Sequence, residues 1–211
     1  MLRVEVQQGS PDWHNARRGL ITATRAADLM KRNKNGSKPA SYAQTVAKIA
    51  MERIEAAPRA LITSRTMERG HDLEDDAAIA YQMETGRDVE VVGLCLHDRY
   101  PQFACSPDRL VGTDGGLEIK CPDAPDKMVS YLLEGAHLPE YEGQVRHCLY
   151  VTGRKWWDIA AYDPRPPAGW NLVIERMGSP DDWSEYEAEL LSVDAEIDAT
   201  VERLRAVRRV A

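Results

Sequence analysis

The segment from residue 103 to residue 121 constrains the fold most, because it predicts a β-hairpin in the middle of the chain. Residues 103–111 and 117–121 are apolar runs with the composition of strands. Residues 113–116, between them, read Thr-Asp-Gly-Gly, a sequence typical of a turn. We therefore expect two adjacent antiparallel strands.

The second of these strands separates its side chains by polarity. Alternation places Leu117 and Ile119 on one face of the sheet and Glu118 and Lys120 on the other. Asp108, on the first strand, can approach the polar face across the hairpin. Two carboxylates and a lysine are what metal-assisted phosphodiester cleavage needs, since oxygen ligands hold Mg²⁺. The metal makes hydroxide available, and an ammonium group orients the water or offsets developing charge.

A second interpretation of the hairpin involves no chemistry. Asp108, Glu118 and Lys120 belong to a short pattern of common residues, and a solvated Glu118–Lys120 pair would be worth under about 1 kcal/mol. The pattern alone favours this second interpretation. The residues around the hairpin reverse that judgement.

Length and composition bound the class of protein. The 211 residues are 43% hydrophobic, enough for one domain with a substantial core. No apolar run approaches the length of a membrane span and no signal peptide is recognisable, so a cytoplasmic protein without membrane contact is expected. The cysteines show no metal-ligand spacing and are interpreted as small core residues in a reducing compartment. They are Cys95, Cys105, Cys121 and Cys148.

Charge is unevenly distributed along the chain. Residues 1–60 contain 11 Lys and Arg against 5 Asp and Glu, whereas the whole chain has a net charge of −7. A basic N-terminal portion beside an acidic body fits a protein that grips phosphates at one surface. Ordinary surface charge with its signs unevenly spread remains the alternative.

The order of predicted elements indicates a single α/β domain. Helices are expected at about 11–18, from 22 or 24 to 30, and at 41–56, 64–85, 125–134, 140–151 and 180–208. Strands are expected at 89–96, 103–111, 117–121, 156–162 and 170–176. The fold class is α/β, with a central mixed sheet of about five strands flanked by helices. We divide it into a basic helical portion (about 1–60), a catalytic core (about 61–178) and a C-terminal helix (about 180–208).

Glu74 is a second indication of chemistry. In the predicted helix 64–85 it shares a face with small and apolar residues such as Ala77, Ala78 and Tyr81. A carboxylate buried there needs a partner, either a metal or an arginine. A glutamate at the edge of the stripe that reaches water is the alternative.

Arg17 and Arg18 end the first predicted helix, just before the turn that starts the second. A guanidinium beside a free helix N-terminus is a competent phosphate site. Capping of the preceding helix carbonyls explains the two arginines equally well. Gln144, on the helix 140–151, is by itself an ordinary hydrogen-bonding residue.

Several blocks of the chain resemble one known family. Together they run in the same order from about residue 8 to residue 204. They are Trp13-His14 with Arg17, residues 19–23, Gly70 with Glu74 and Ala77, residues 104–108, 116–122, Gln144-Val145, 162–165 and 173–176. In these blocks the chain resembles the nucleases of the lambda exonuclease and YqaJ-type viral recombinase family, within the PD-(D/E)XK superfamily. The resemblance implies a restriction-endonuclease-like core.

The resemblance also implies roles for individual residues. Asp108, Glu118 and the Ile119 carbonyl match metal ligands, and Glu74 matches the helix glutamate that completes a two-metal site. The ions implied are Mg²⁺, with Mn²⁺ as a substitute. Lys120 matches the catalytic lysine that acts on the water. The remaining matches are Gln144, near that water, and Arg17, Thr24 and Ser106, around the 5′-phosphate.

Two positions depart from the family pattern. Thr24 replaces the usual serine and keeps a hydroxyl, whereas Arg146 stands where the phage lambda enzyme has a second glutamine. A basic residue at position 146 is compatible with DNA.

The expected function is that of a Mg²⁺-dependent 5′-to-3′ exonuclease of phage or prophage origin. It would resect linear double-stranded DNA ends that carry a 5′-phosphate, leaving 3′ single strands for annealing recombination. The resemblance adds a homotrimer ring and a single-strand annealing protein as partner. The alternatives are a PD-(D/E)XK endonuclease and a non-catalytic module that binds DNA ends; an iron–sulfur nuclease is disfavoured by the cysteine spacing.

Overall fold

The computed structural model describes residues 1–55, 65–135 and 138–209 and consists there of two β-sheets with helices packed against them. The strands are β1 (Leu2–Val4), β2 (Ile21–Thr22), β3 (Val89–Glu90), β4 (Leu94–Leu96), β5 (Phe103–Cys105), β6 (Arg109–Val111), β7 (Gly115–Lys120), β8 (Trp156–Tyr162) and β9 (Leu172–Gly178). The helices are α1 (Pro11–Ala16), α2 (Ala23–Met30), α3 (Ala40–Ile54), α4 (Arg65–Thr85), α5 (Pro125–Glu134), α6 (Leu138–Thr152) and α7 (Ser184–Arg209).

The larger sheet is the predicted mixed sheet. Its five strands lie in the order β3-β6-β7-β8-β9, and only β7 and β8 are parallel. A parallel pair needs a long crossover, which α5 and α6 supply. The predicted fold class, an α/β arrangement with a sheet flanked by helices, is confirmed.

A second sheet, with the order β1-β4-β5-β2, was not predicted. The runs 103–111 and 89–96, each interpreted as one strand, are both divided between the two sheets. Pro107 has no N–H to donate and interrupts the first run. Gly93 interrupts the second, where a Cβ would lie 1.9 Å from the Val6 carbonyl oxygen.

The hairpin turn also lies earlier than predicted. Residues 112–114 form it, and Gly115 and Gly116 already belong to β7. A Cβ on Gly115 would lie 2.2 Å from the ring of Trp156, and one on Gly116 would lie 2.3 Å from that of Trp157. These glycines therefore serve the packing of β8 against β7 rather than the turn.

The β6–β7 hairpin is enclosed by two helices. Leu117 and Ile119 pack with Ala77, Ala78 and Tyr81 of α4, so the predicted apolar face of that helix is confirmed for these three residues. The α6 helix lies over the opposite face of β7. Its close approach to α2 depends on Gly143, because a Cβ there would lie 3.0 Å from the Ala27 methyl group.

Some predicted boundaries differ by a few residues. The first helix ends at Ala16, two residues earlier than expected, and the chain turns at Gly19 with a φ of +70°. The last helix begins at Ser184, whose N–H donates to Asp182. Ser64 and the side chains of residues 65–71 lie outside the described residues.

The predicted interpretation of the cysteines is confirmed for three of them. Cys95, Cys105 and Cys148 are buried and Cys121 is half-buried, and all four are free thiols.

Candidate active site

The β6–β7 hairpin brings two carboxylates to one place. Asp108 directly precedes β6, and its Oδ2 accepts a hydrogen bond of 2.6 Å from the backbone N–H of Ile119 in β7. Glu118, the preceding residue in β7, is only 2% exposed. Alternation along β7 turns Ile119 towards α4 and Glu118 towards α6, as the sequence predicts.

Glu118 is the centre of a small polar network. Its Oε1 accepts a hydrogen bond of 2.6 Å from Nζ of Lys120 and another from Nε2 of Gln144 on α6. Its Oε2 is buried and has no hydrogen-bond partner among the described residues. A buried carboxylate oxygen without a donor is costly, so a cation at this position would be stabilising.

The charges in the site act on one another. Burial, followed by the negative charges of Glu118 and Glu74, raises the pKa of Asp108 well above its usual value. Burial lowers the pKa of Lys120, but the Glu118 and Asp108 carboxylates outweigh it and the net shift is upward. Lys120 therefore stays charged, with Nζ 4.7 Å from the ring centre of Tyr141.

Glu74 has an arginine as its partner, one of the two kinds that the sequence predicts. The guanidinium of Arg109, 5% exposed, donates from Nη1 to Glu74 Oε1. Its Nη2 donates to Asp75 Oδ1 at 2.5 Å, so Arg109 joins β6 to two adjacent residues of α4. Asp75 is exposed and paired with Arg109, and Asp72 and Asp76 are exposed.

The carboxylate oxygens of Asp108 and Glu118 are suitable ligands for a divalent cation. The Oε2 atom of Glu118 accepts no hydrogen bond from the described residues. Burial and the neighbouring carboxylates disfavour the charged form of Asp108, and a cation would offset this effect. In the described part of the chain no three His, Cys, Asp or Glu side chains are close enough to hold a metal as they stand. Glu74, matched to a second ion, is held by Arg109 instead.

Arg17 belongs to a second polar cluster, which it forms with Trp13 and Ser106 and which we call the Arg17 cluster. Its guanidinium lies 3.9 Å from the ring centre of Trp13, and its Nε is buried without a hydrogen-bond partner. Burial, with a smaller effect of the Arg25 charge, lowers the pKa of Arg17 to about 10, so it remains a cation at neutral pH. Within residues 1–55, 65–135 and 138–209, no carboxylate forms a salt bridge with Arg17. A charged group so placed is suited to an anion from outside.

The Arg17 cluster is connected to the carboxylates by the smaller sheet. The β2 strand pairs in parallel with β5, which leads directly to Ser106 and Asp108. The indole N–H of Trp13 donates to the Ser106 hydroxyl at 3.0 Å. Thr24 is exposed in the first turn of α2, the helix that follows β2. The start of α2 therefore lies beside the strand that leads to Asp108.

Sequence reasoning missed Arg109 and Tyr141. Arg109 had a detectable signal, because it is a charge inside the apolar run 103–111, beside the predicted ligand Asp108. Tyr141 had none, since its contact with Lys120 depends on how α6 lies over β7.

Other candidates lie outside this network. Arg146 is exposed and forms an ion pair of 3.0 Å with Glu142, one turn earlier in α6. His147 is buried between Tyr186 and the Ile21 carbonyl, so it is a structural residue. No helix among the described residues is long and apolar enough to cross a membrane.

Comparisons with known proteins show the family and the fold. Residues 12–155 match the model of the YqaJ-like viral recombinase domain. A solved structure of an alkaline exonuclease from Laribacter hongkongensis has 34% sequence identity and a TM-score of 0.84, with 96% of this chain and 100% of that chain covered. The same enzyme in complex with dAMP matches equally well.

A more distant structure shares the fold alone. A phage-related exonuclease from Haemophilus somnus has 10% identity and a TM-score of 0.70, with 88% of this chain and 96% of that chain covered. No curated protein sequence matches this chain.

Proposed function

The chain belongs to the family of YqaJ-like viral recombinase domains, and on that premise we propose that it is a metal-dependent exonuclease that digests double-stranded DNA from 5′ to 3′. The single observation that carries the proposal is the Glu118 network. One oxygen of this buried carboxylate is bonded to Lys120, and the other faces no donor of the described chain. Similarity to an alkaline exonuclease over nearly the whole chain supports the same conclusion.

The proposed cofactor is Mg²⁺, as two ions, with Mn²⁺ as a substitute. Asp108, Glu118 and the Ile119 carbonyl would hold one ion, and Glu74 would complete the site for the second. When bound, the metal supplies a Lewis acid for the phosphate oxygens and lowers the pKa of a bound water. Two observations support this assignment. Oε2 of Glu118 accepts no hydrogen bond from the described residues, and the charges of Glu118 and Glu74 act on Asp108.

The residues of the chain have separate tasks in hydrolysis. The water oxygen attacks phosphorus, the P–O3′ bond breaks, and the leaving oxygen takes a proton to become a 3′-hydroxyl group. Lys120, a cation at neutral pH and anchored to Glu118, orients the water or offsets the charge that develops on phosphate. Gln144 donates to the same oxygen of Glu118 as Lys120 does, and it would lie near the attacking water.

The Arg17 cluster supports the proposed polarity. Breaking the P–O3′ bond leaves a new 5′-phosphate on the remaining strand, so each product is again a substrate for a site that recognises this group. Arg17 would pair with the phosphate, with the hydroxyl groups of Ser106 and Thr24 near it. Its lack of a carboxylate partner in the described chain supports this role.

Membership of the family supports a proposal about the biological setting. We propose a phage or prophage enzyme in the bacterial cytoplasm, which leaves 3′ single strands for annealing recombination. It would act as a homotrimer ring with a single-strand annealing protein as partner.

A nuclease assay tests the proposal. Linear duplex DNA with 5′-phosphate or 5′-hydroxyl ends is incubated with Mg²⁺, Mn²⁺ or EDTA, beside a covalently closed circle. We expect Mg²⁺-dependent loss of the 5′-ended strands of linear DNA and an intact circle. Cleavage of the circle would indicate an endonuclease rather than an exonuclease. Binding of DNA ends without cleavage would indicate a non-catalytic module.

Two variants connect the assay to the site. Asp108→Asn keeps an acceptor for the Ile119 N–H but loses the charge, so cleavage should be abolished with the fold intact. Arg17→Ala should slow the digestion of 5′-phosphorylated ends about 10- to 100-fold, because a charge-assisted contact is lost. The rate on 5′-hydroxyl ends, which cannot form this contact, should change little. The exposed Asp181→Asn and Arg203→Ala are matched controls. Normal turnover in Asp108→Asn would refute the site, and equal losses on both ends would refute end recognition by Arg17.

A further inference from the structure

Arg109 holds three groups of the candidate site at once. It donates to the carboxylates of Glu74 and Asp75 and to the backbone carbonyl oxygen of Asp108. The two carboxylates occupy different nitrogens of the guanidinium fork, Glu74 on Nη1 and Asp75 on Nη2. The rigid fork of donors allows this division, and each acceptor can leave without displacing the other.

The two carboxylates differ in exposure. The side chain of Arg109 is 6% exposed and that of Glu74 is 21% exposed, whereas that of Asp75 is 87% exposed. A buried guanidinium left without any carboxylate partner strongly destabilises the folded protein. Arg109 therefore requires that at least one of its two carboxylate partners stay in place.

The proposed function makes a competing demand on Glu74. Its carboxylate is the one matched to the second metal ion, and a metal bound there would take the oxygen that now accepts from Arg109. Without a substitute acceptor, metal binding would leave a buried cation poorly paired beside another cation.

We propose that Asp75 is a positioning residue that keeps Arg109 paired while Glu74 is transferred to the metal. Without metal, the guanidinium holds both carboxylates. When a divalent ion binds Glu74, Asp75 and the Asp108 carbonyl retain Arg109, so Glu74 is released at low cost. Asp75 thereby sets the metal concentration at which the site fills, without touching metal or DNA. This inference rests on the proposed function.

Metal-dependent thermal stabilisation of the DNA-free protein tests the inference. Mg²⁺ that binds the folded state raises Tm, and the dependence on concentration gives an apparent Kd. We expect Asp75→Asn to weaken this Kd about tenfold, as expected when a charged acceptor is lost. Asp72→Asn, an equal charge change at another exposed position of α4, should weaken it far less. Melting in EDTA confirms that each variant folds.

The cleavage assay should show the same difference. For Asp75→Asn, the Mg²⁺ concentration for half-maximal rate should rise about tenfold, with much of the rate recovered at high Mg²⁺. A loss of rate that high Mg²⁺ does not restore would mean that Asp75 supports the fold of the site, and would overturn the inference.

Arg109→Met separates an effect through Arg109 from a direct effect of charge. In this background Arg109 no longer competes with the metal for Glu74, so Mg²⁺ should bind more tightly and Asp75→Asn should have no larger effect than Asp72→Asn. A tenfold effect of Asp75→Asn that persists without Arg109 would overturn the inference. If Arg109→Met does not fold, the comparison of Asp75→Asn with Asp72→Asn decides alone.

The outcomes distinguish this inference from the proposed function. A wild-type protein that neither gains stability with Mg²⁺ nor cleaves DNA overturns both. A wild-type protein that does both, with Asp75→Asn and Asp72→Asn indistinguishable, overturns the acceptor role of Asp75 alone.

Discussion

Glu118 shows how one residue combines structure and chemistry. Lys120 and Gln144 both donate to one oxygen of this buried carboxylate. The second oxygen accepts no hydrogen bond from the described residues, and in the proposed function it would face a cation. The same contact fixes Lys120, because its ammonium is held between Glu118 and the face of Tyr141. The residues thus orient one another before substrate arrives, the condition under which fixed charges accelerate a reaction.

Lys120→Met tests the role of the ammonium. Methionine keeps an apolar stem against Tyr141 and removes the charge, so kcat should fall about 100-fold or more. The Mg²⁺-dependent rise in Tm should persist, because a nearby cation has been removed rather than a ligand. Lys127→Met, at an exposed lysine of α5, is the matched control. Collapse of metal binding with a normal rate at saturating Mg²⁺ would mean that Lys120 is structural.

At the scale of elements, the hairpin is held from outside by the chain that leaves α6. Gly153, with a φ of +67°, ends the helix and turns Arg154 towards the hairpin. Nη1 of Arg154 donates to the carbonyl oxygens of Val111, Gly112 and Gly115 at 3.2, 2.9 and 2.6 Å. Arg154 therefore closes the turn end of the hairpin, and Asp108 and Glu118 lie at the opposite end.

Arg154→Met should destabilise the protein. The variant removes hydrogen bonds from a charged donor at a buried site, so the free energy of unfolding should fall by about 2–3 kcal/mol. Lys155→Met is the control, since this exposed neighbour pairs with Asp114 at the same turn and should have a much smaller effect. Urea denaturation measures both. Equal effects would show that Arg154 does not support the hairpin.

The α6 helix is also joined to the rest of the fold through a neutral histidine. Nε2 of His147 lies 3.1 Å from the Ile21 carbonyl oxygen, so this nitrogen carries the proton, and Nδ1 accepts from the Tyr186 hydroxyl at 3.0 Å. Burial lowers the pKa of His147 to about 4. The contacts connect α6 to β2 and α7.

His147 makes stability depend on pH. Between about 6.5, the usual histidine pKa, and about 4, the unfolded chain binds a proton that the folded chain does not. Stability should therefore fall as pH falls through this window, by about 1.4 kcal/mol per pH unit from this group. Burial also lowers the pKa of His97, which adds in the same direction. Urea denaturation at pH 7 and pH 5 should show a shallower dependence for His147→Gln than for wild type; equal dependences would contradict the assignment.

At the scale of the whole molecule, the basic N-terminal portion is largely neutralised within the chain. Arg18 and Arg25 pair with acids of α3 or its end, and others pair with acids of α7. The latter pairs are Arg32–Glu189, Lys38–Glu196, Arg53–Asp194 and Arg53–Asp198. The uneven charge therefore serves contacts between the two ends of the chain as well as any contact with DNA. Arg17 differs from these arginines because its neighbours in the described chain supply no salt bridge.

The proposed ring can be tested in solution. We expect a mass three times the 23.7 kDa of one chain, measured by light scattering after gel filtration. A closed ring around DNA cannot dissociate between successive cuts, so digestion should continue after unlabelled DNA is added in excess. A monomer that stops at once would contradict the ring but leave the chemistry of the site intact.

The sequence alone determined the local parts of this protein. Alternation in residues 117–120 assigned Glu118 and Lys120 to one face, and small residues beside Glu74 assigned that carboxylate to the inner face of α4. These inferences succeeded because side-chain direction repeats with the period of the strand or helix. The family resemblance then connected blocks whose spatial relation no local pattern contains.

Only the tertiary structure decided how distant segments meet. The hairpin turn lies at residues 112–114 because two tryptophans some forty residues later pack on Gly115 and Gly116. The run 103–111 is divided because its two halves find different partners, β2 and β7. Arg109 holds Glu74 because β6 and α4 lie side by side. Each outcome depends on pairing and close packing between residues far apart in the chain, which local periodicity does not encode.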